Sequence, residues 1–196
     1  MRIVAFADVQ GNPHAAAAIL TAAKRIDDAT TYCLGNAVGP GPDPASCIEK
    51  LRKAHVVLVR GERDAAALSM PGGDEKLRLE GKAILSMLKP ADVGYLREAS
   101  PPRRMVAGGK RILLTSDAKS TDVGAADVVI HPGVRAVVRL DGTRLDVSVG
   151  SAIGDEHGES PFVVYDTQTQ EAKVHHAAWD RTVLRKNRYG ESTRHL

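Results

Sequence analysis

Charged and amide side chains follow three of the apolar segments in the first half of the chain, at the point where each segment ends. Asp8 closes the first segment, Asn36 follows the second, and Glu62 and Arg63 follow the third. His131 ends a later apolar segment. Carboxylate and amide oxygens bind hard divalent cations, imidazole adds a nitrogen ligand, and a guanidinium binds phosphate oxygens in pairs. These residue types predict a site for a metal ion, a phosphate group, or both.

The apolar segments that precede these residues alternate with helical patterns. Residues 2–8, 29–34 and 55–60 are nearly continuous apolar runs, and apolar residues at helical spacing cover 15–26. Continuous apolar strands separated by helices are typical of a parallel sheet that is buried on both faces. The carboxyl ends of such strands lie side by side, and ligands bind there. We therefore expect the polar residues after the three strands to meet at one edge of the sheet.

The second half of the chain changes character after two more helical stretches, at 75–88 and 90–96. Short apolar runs are separated by turn signals, and Asp141-Gly142 between two alternating runs indicates a hairpin. This half is predicted to form a mostly antiparallel or mixed sheet. We expect one α/β domain over residues 1–180, with two packed sheets and helices outside, followed by a basic tail at 181–196.

Composition excludes several classes of protein. Of the 196 residues, 43% are hydrophobic and 26% are charged, with a formal net charge of +3, which argues against intrinsic disorder. No apolar run approaches the ~18 residues that span a bilayer, so no membrane association is expected. Cys33 and Cys47 are too few for a disulfide scaffold, and we expect reduced thiols in a cytoplasmic protein. The excess positive charge lies in the tail, which leaves a nucleic-acid partner open, although a solvated tail is the simpler interpretation.

Seven short segments, taken in order, carry a resemblance to a known family. They are ADVQGN, LGNAVGPGPDP, VRGERD, LLTSD, VVIHPGV, RLDGTRL and SVGSAIG. Their order and places resemble the motifs of the calcineurin-like metallophosphoesterases, in their small prokaryotic branch, which read D-x-H-G-N, G-D-x-V-G-x-G-P-x-P and G-N-H-D or G-N-H-E after the first three strands. The resemblance covers nearly the whole chain and implies a four-layer α/β/β/α sandwich of two mixed sheets flanked by helices.

The resemblance also implies a pair of metal ions that clamps phosphate and activates water, but several of the implied ligands are changed. Asp8 is kept, whereas Asn36 replaces a bridging aspartate, and Gln10 and Ser116 replace histidines. An asparagine is neutral and has one good acceptor oxygen, and neither glutamine nor serine offers an imidazole nitrogen. A two-metal centre of the family type is therefore not expected, and no cofactor is predicted.

A single divalent metal, Mn²⁺ or Mg²⁺, is an alternative. Glu62 adds a carboxylate where the family has an asparagine, Asp117 follows a changed histidine position, and His131 aligns with the first histidine of the later G-H-x-H motif. With Asp8 they would form one oxygen-rich site. The competing interpretation, which we favour, is that Asp8 and Glu62 accept backbone N–H bonds or pair with Arg63, so that a salt bridge replaces the metal charge.

Arg63 stands where the family has a histidine that faces the phosphate, so we expect it to hold an anionic ligand. The other polar side chains predicted to line the ligand site are Gln10, Asn12, Asn36 and Ser116. If the protein is an enzyme, Asp8, Arg63 and His131 are the candidate catalytic residues.

Three functions remain open at this point. The changed ligand positions favour a catalytically impaired phosphoesterase relative, a pseudoenzyme that binds a phosphate-containing small molecule or a protein partner. The alternative is an active metal-dependent phosphoesterase with an altered one-metal site, hydrolysing phosphomonoesters or phosphodiesters. The third is a structural subunit of an oligomer, and a homo-oligomer is expected by resemblance alone.

Overall fold

A computed structural model describes residues 1–69, 75–117, 123–153 and 158–182, so most of the predicted basic tail lies outside the described residues. The strands are β1 (Arg2–Phe6), β2 (Ala29–Leu34), β3 (Val57–Val59), β4 (Arg103–Ala107), β5 (Lys110–Leu114), β6 (Val128–His131), β7 (Ala136–Asp141), β8 (Arg144–Val149), β9 (Glu159–Asp166) and β10 (Glu171–Ala178). The helices are α1 (Pro13–Ala23), α2 (Pro44–Lys53), α3 (Glu62–Ala67), α4 (Glu75–Met87) and α5 (Pro90–Arg97).

The first sheet has the strand order β10-β9-β1-β2-β3. β1, β2 and β3 run parallel, with Phe6 opposite Cys33 and Leu34 opposite Val59. Because these registers bring the carboxyl ends of the three strands to one edge, the loops that follow them are neighbours. The predicted alternation of strands and helices is confirmed in this half of the chain.

The second sheet has the strand order β4-β5-β6-β8-β7 and mixes parallel with antiparallel pairs. The two sheets pack face to face through a buried apolar layer. Ile3, Ala5 and Tyr165 of the first sheet meet Ile112 and Ile130 of the second in this layer. The expected pair of mixed sheets in an α/β fold is confirmed.

The described helices bury their apolar faces against the other side of the first sheet. Ile19 of α1, Leu51 of α2 and Leu96 of α5 share one core with Val4 and Phe6 of β1. Ala67 of α3 and Ile84 of α4 belong to the same core. Among the helices in the described ranges, none combines the length and the apolar character needed to cross a membrane.

The starts of α1 and α2 fix the loops after β1 and β2. Asn12 caps α1 by accepting the backbone N–H groups of His14 and Ala15, and Asp43 caps α2 by accepting that of Ser46. Each cap is followed by a proline, whose backbone angle suits the first helical position. Cys33 and Cys47 are buried free thiols beneath these loops.

Candidate functional site

Backbone hydrogen bonds hold the loop after β1 against the loop after β2. Asp8 donates its N–H to the carbonyl of Gly35 at 3.1 Å, Gln10 to that of Asn36 at 2.9 Å, and Gly11 to that of Ala37 at 2.9 Å. The two loops therefore form one rigid layer at the carboxyl edge of the first sheet.

Three residues of this layer other than glycine have a left-handed backbone conformation. The φ angles are +58° at Asp8, +45° at Gln10 and +52° at Asn36. Residues other than glycine enter this region at a cost of about 1–2 kcal/mol each, which the surrounding structure must offset. Such strain clusters at functional sites, and here the side chains of Asp8 and Asn36 are hydrogen-bonded to each other.

Close glycine contacts bring the third loop into the same site. A Cβ atom at Gly61 would lie 2.4 Å from the backbone N of Asn36, and one at Gly35 would lie 2.8 Å from Cβ of Ser116. The loop after β2 therefore lies so close to the loop after β3 and to the segment after β5 that a side chain at Gly35 or Gly61 would clash. Ser116, a predicted ligand residue, lies beside Gly35, and its hydroxyl donates to the carbonyl of Arg60 at 2.5 Å.

Asp64 organises the site from beneath and was missed by the sequence analysis. Its side chain is fully buried, and its carboxylate accepts the backbone N–H groups of Val38 at 3.0 Å and Gly61 at 2.9 Å. The backbone N–H groups of Ala37 and Asn36 also favour its ionised form. Burial raises the pKa of Asp64 to about 6, and these N–H donors limit the rise. The sequence does contain a feature that could have identified Asp64, namely an acidic residue three positions after Gly61 at the start of a helix.

Asn36 connects Asp8 to the third loop. Its Oδ1 accepts the backbone N–H of Arg63 at 3.1 Å, and its Nδ2 donates to Oδ1 of Asp8 at 2.8 Å. Because a backbone N–H can only donate, the Arg63 contact fixes which end of the amide faces Asp8. Burial raises the pKa of Asp8, while the Asn36 hydrogen bond and the Arg63 charge lower it.

Arg63 contacts an acid that the sequence analysis did not single out. Its Nη1 lies 3.1 Å from Oε2 of Glu80 on α4, and the two side chains are 28% and 35% exposed. The favoured hypothesis placed Arg63 beside Asp8 and Glu62. Its charge acts on Asp8, but it forms an ion pair with Glu80, and Glu62 is exposed on α3.

The residues proposed for a single metal site are not gathered into one. No group of three histidine, cysteine, aspartate or glutamate side chains could hold a metal ion within the described ranges, which include all four proposed ligands. Those ligands are Asp8, Glu62, Asp117 and His131. Glu62 and Asp117 are exposed, and Asp8 accepts an amide proton. The residues present therefore do not fit the metal ions that the family implies.

His131 lies on the side of the second sheet that faces away from the first sheet. Ile130 points into the layer between the sheets, so the next side chain along β6 points outwards. The His131 ring contacts Oδ1 of Asp146 at 3.2 Å and the carbonyl of Pro132 at 2.6 Å. It lines a recess of about 390 Å³ with Arg135 and Arg139. His131 was predicted to act beside Asp8 as a catalytic residue and metal ligand. Its side chain instead points away from the sheet that carries Asp8.

The predicted ligand-binding residues differ in their exposure and in their contacts. Asn12 is 3% exposed, and its Oδ1 caps α1, which makes it a structural residue rather than a ligand contact. Gln10 remains partly exposed in the site, where its carbonyl accepts the N–H of Gly41 at 2.8 Å. Arg63 and Asn36 lie together, with the backbone N–H of Arg63 bonded to Oδ1 of Asn36.

Comparison with known proteins supports the fold rather than a detailed function. No family model and no curated protein match this chain. A hypothetical protein from Pyrococcus horikoshii OT3 is 19% identical with a TM-score of 0.78, covering 97% of this chain and 93% of its own. A metallophosphoesterase from Sphaerobacter thermophilus is 20% identical with a TM-score of 0.72, covering 98% and 94%. The phosphoesterase Yfce from E. coli is 18% identical with a TM-score of 0.57, covering 92% and 100%. This chain therefore has the fold of the calcineurin-like metallophosphoesterases, as its motifs predict.

Proposed function

We propose that this protein is a catalytically impaired member of the phosphoesterase fold that binds a phosphate-type ligand at the carboxyl edge of its first sheet. The observation that carries the proposal is the 2.8 Å hydrogen bond from Nδ2 of Asn36 to Oδ1 of Asp8. A residue that bridges two cations must present anionic oxygens to both. Here the amide nitrogen, a donor, faces the retained carboxylate.

The same hydrogen bond performs a structural task that a shared cation would otherwise perform. Asp8 is partly buried, and a buried carboxylate needs a partner. Asn36 supplies one proton donor, and the charge of Arg63 stabilises the ionised form further. The Asn36 side chain thereby connects the loops after β1, β2 and β3.

The chemistry of Arg63 favours a phosphate-type ligand. A guanidinium at a loop edge that keeps 28% of its surface accessible can donate two parallel hydrogen bonds to phosphate oxygens. It also stands beside Asn36 in the part of an α/β sheet where ligands bind. A carboxylate ligand would use the same donors less strongly, because it carries a single negative charge.

The proposed function predicts that this protein does not hydrolyse simple phosphate esters. With Mn²⁺ present, we expect the full chain to turn over p-nitrophenyl phosphate and bis(p-nitrophenyl) phosphate no faster than Mn²⁺ alone, because the described residues offer no ligand set that could hold a cation to activate water. The measurement is nitrophenolate release, with Asp8→Ala as the control. Metal-dependent turnover that Asp8→Ala abolishes would contradict the proposal and favour the one-metal phosphoesterase.

A further inference from the structure

We propose that Glu80 sets the anion affinity of this site by occupying the Arg63 guanidinium that a phosphate group needs. This inference rests on the proposed function. Nη1 of Arg63 lies 3.1 Å from Oε2 of Glu80, within the range of a charge-assisted hydrogen bond. A carboxylate oxygen offers the same kind of acceptor as a phosphate oxygen, so the protein supplies its own competitor.

Helix packing delivers Glu80 to this position. The next residue, Gly81, packs against α3 so closely that a Cβ atom there would lie 2.6 Å from both Cα and N of Ala67. Ile84 and Leu88, three and seven residues after Gly81, are buried in the same core as Ala67. This buried stripe fixes α4 over α3, so the Glu80 carboxylate begins from a rigid backbone rather than from a free loop.

The charges around Arg63 explain which anions can compete. Asp8 and Glu80 both act on the single guanidinium, so a ligand enters a site where the positive charge is already compensated. A carboxylate that the fold holds beside the guanidinium also avoids the loss of translational and rotational freedom that a free anion undergoes on binding. A free monocarboxylate gains nothing over Glu80, whereas a phosphate dianion attracts the guanidinium more strongly. We therefore expect selection for phosphate-type dianions over carboxylates.

The binding experiment compares four versions of the full chain by calorimetric titration with inorganic phosphate, and each again with acetate. They are the natural sequence, Glu80→Gln, Glu75→Gln and Arg63→Gln. Glu75→Gln is the matched control, since it removes the same charge from an exposed position at the start of α4. Partly exposed ion pairs contribute about 0.2–1 kcal/mol, so Glu80→Gln should bind phosphate about 1.4- to 5-fold more tightly.

The outcomes separate the two proposals. Tighter phosphate binding in Glu80→Gln, no change in Glu75→Gln and loss in Arg63→Gln support both, as does the absence of acetate binding. If Glu80→Gln matches Glu75→Gln while Arg63→Gln still loses binding, the role of Glu80 is wrong and the phosphate site stands. If no version binds phosphate, or Arg63→Gln binds as well as the natural sequence, the proposed function fails and this inference fails with it.

Discussion

Replacing Asp64 by alanine is expected to lower the free energy of unfolding by about 2–4 kcal/mol at pH 7, because buried N–H groups would lose their acceptor. The carboxylate accepts the N–H groups of Val38 and Gly61 in a fully buried position. Chemical denaturation followed by circular dichroism measures the change. The loops after β2 and β3 depend on this one side chain, so the variant should also weaken phosphate binding.

Asp43→Ala is the matched control for that variant. Asp43 also accepts a backbone N–H at the start of a helix, that of Ser46, but its environment is exposed. Loss of an exposed helix cap costs about 1 kcal/mol, since water replaces the missing acceptor. If Asp64→Ala destabilises the protein no more than Asp43→Ala does, the buried carboxylate does not organise the site.

The raised pKa of Asp64 gives stability a defined pH dependence. Burial raises this pKa from 3.8 to about 6, so between these values the folded state binds more protons than the unfolded state. The stabilising contribution of this carboxyl is therefore complete below about pH 4, falls as pH rises to about 6, and is constant above. Asp64→Asn removes the titration and keeps the side-chain shape. The difference in unfolding free energy between the natural sequence and Asp64→Asn should follow this course in denaturation at a series of pH values, and a difference that rises with pH would contradict it.

The first half of the fold could be predicted because each strand there is a bounded apolar run. β2 coincides with the predicted segment 29–34, while β3 covers only Val57–Val59 of the predicted 55–60, since His55 has a φ of +53° and belongs to a turn. The sequence pattern did not predict the short helix α3. The N–H of Gly61 bonds to the carboxylate of Asp64 and starts the helix, and this local signal is weak without knowledge of burial.

Sequence reasoning found only part of the site. It could not determine which face of β6 a side chain occupies or how α4 packs on α3. Asp8, Asn36 and Arg63 follow parallel strands, so their proximity follows from the sheet. The direction of His131 could not be predicted, because β6 is buried on both faces up to this residue and shows no alternation. Glu80 could not be found either, since the contact between Gly81 and Ala67 that positions it is a feature of the folded chain.

Asn36→Asp is expected to make the stability of this protein depend on divalent cations. The substitution replaces the Nδ2 donor, 2.8 Å from the Asp8 carboxylate, by a second anionic oxygen. Without metal, the lost hydrogen bond and the repulsion should lower the free energy of unfolding by about 1–3 kcal/mol at pH 7. Asparagine and aspartate both tolerate the left-handed backbone at this position, so strain does not confuse the comparison.

Mn²⁺ should then distinguish the variant from the natural sequence in thermal unfolding. A cation that binds only the folded state at 100 times its dissociation constant adds about 2.7 kcal/mol, so Asn36→Asp should regain stability with Mn²⁺ and lose it with EDTA. Asn36→Gly is the control, because it removes the amide, allows the positive φ and adds no charge. The natural sequence and Asn36→Gly should not respond to Mn²⁺. A response of the natural sequence would mean that Asn36 does not exclude a cation, and indifference of Asn36→Asp would mean that other changes in the loops exclude it, because one carboxylate could not restore the site.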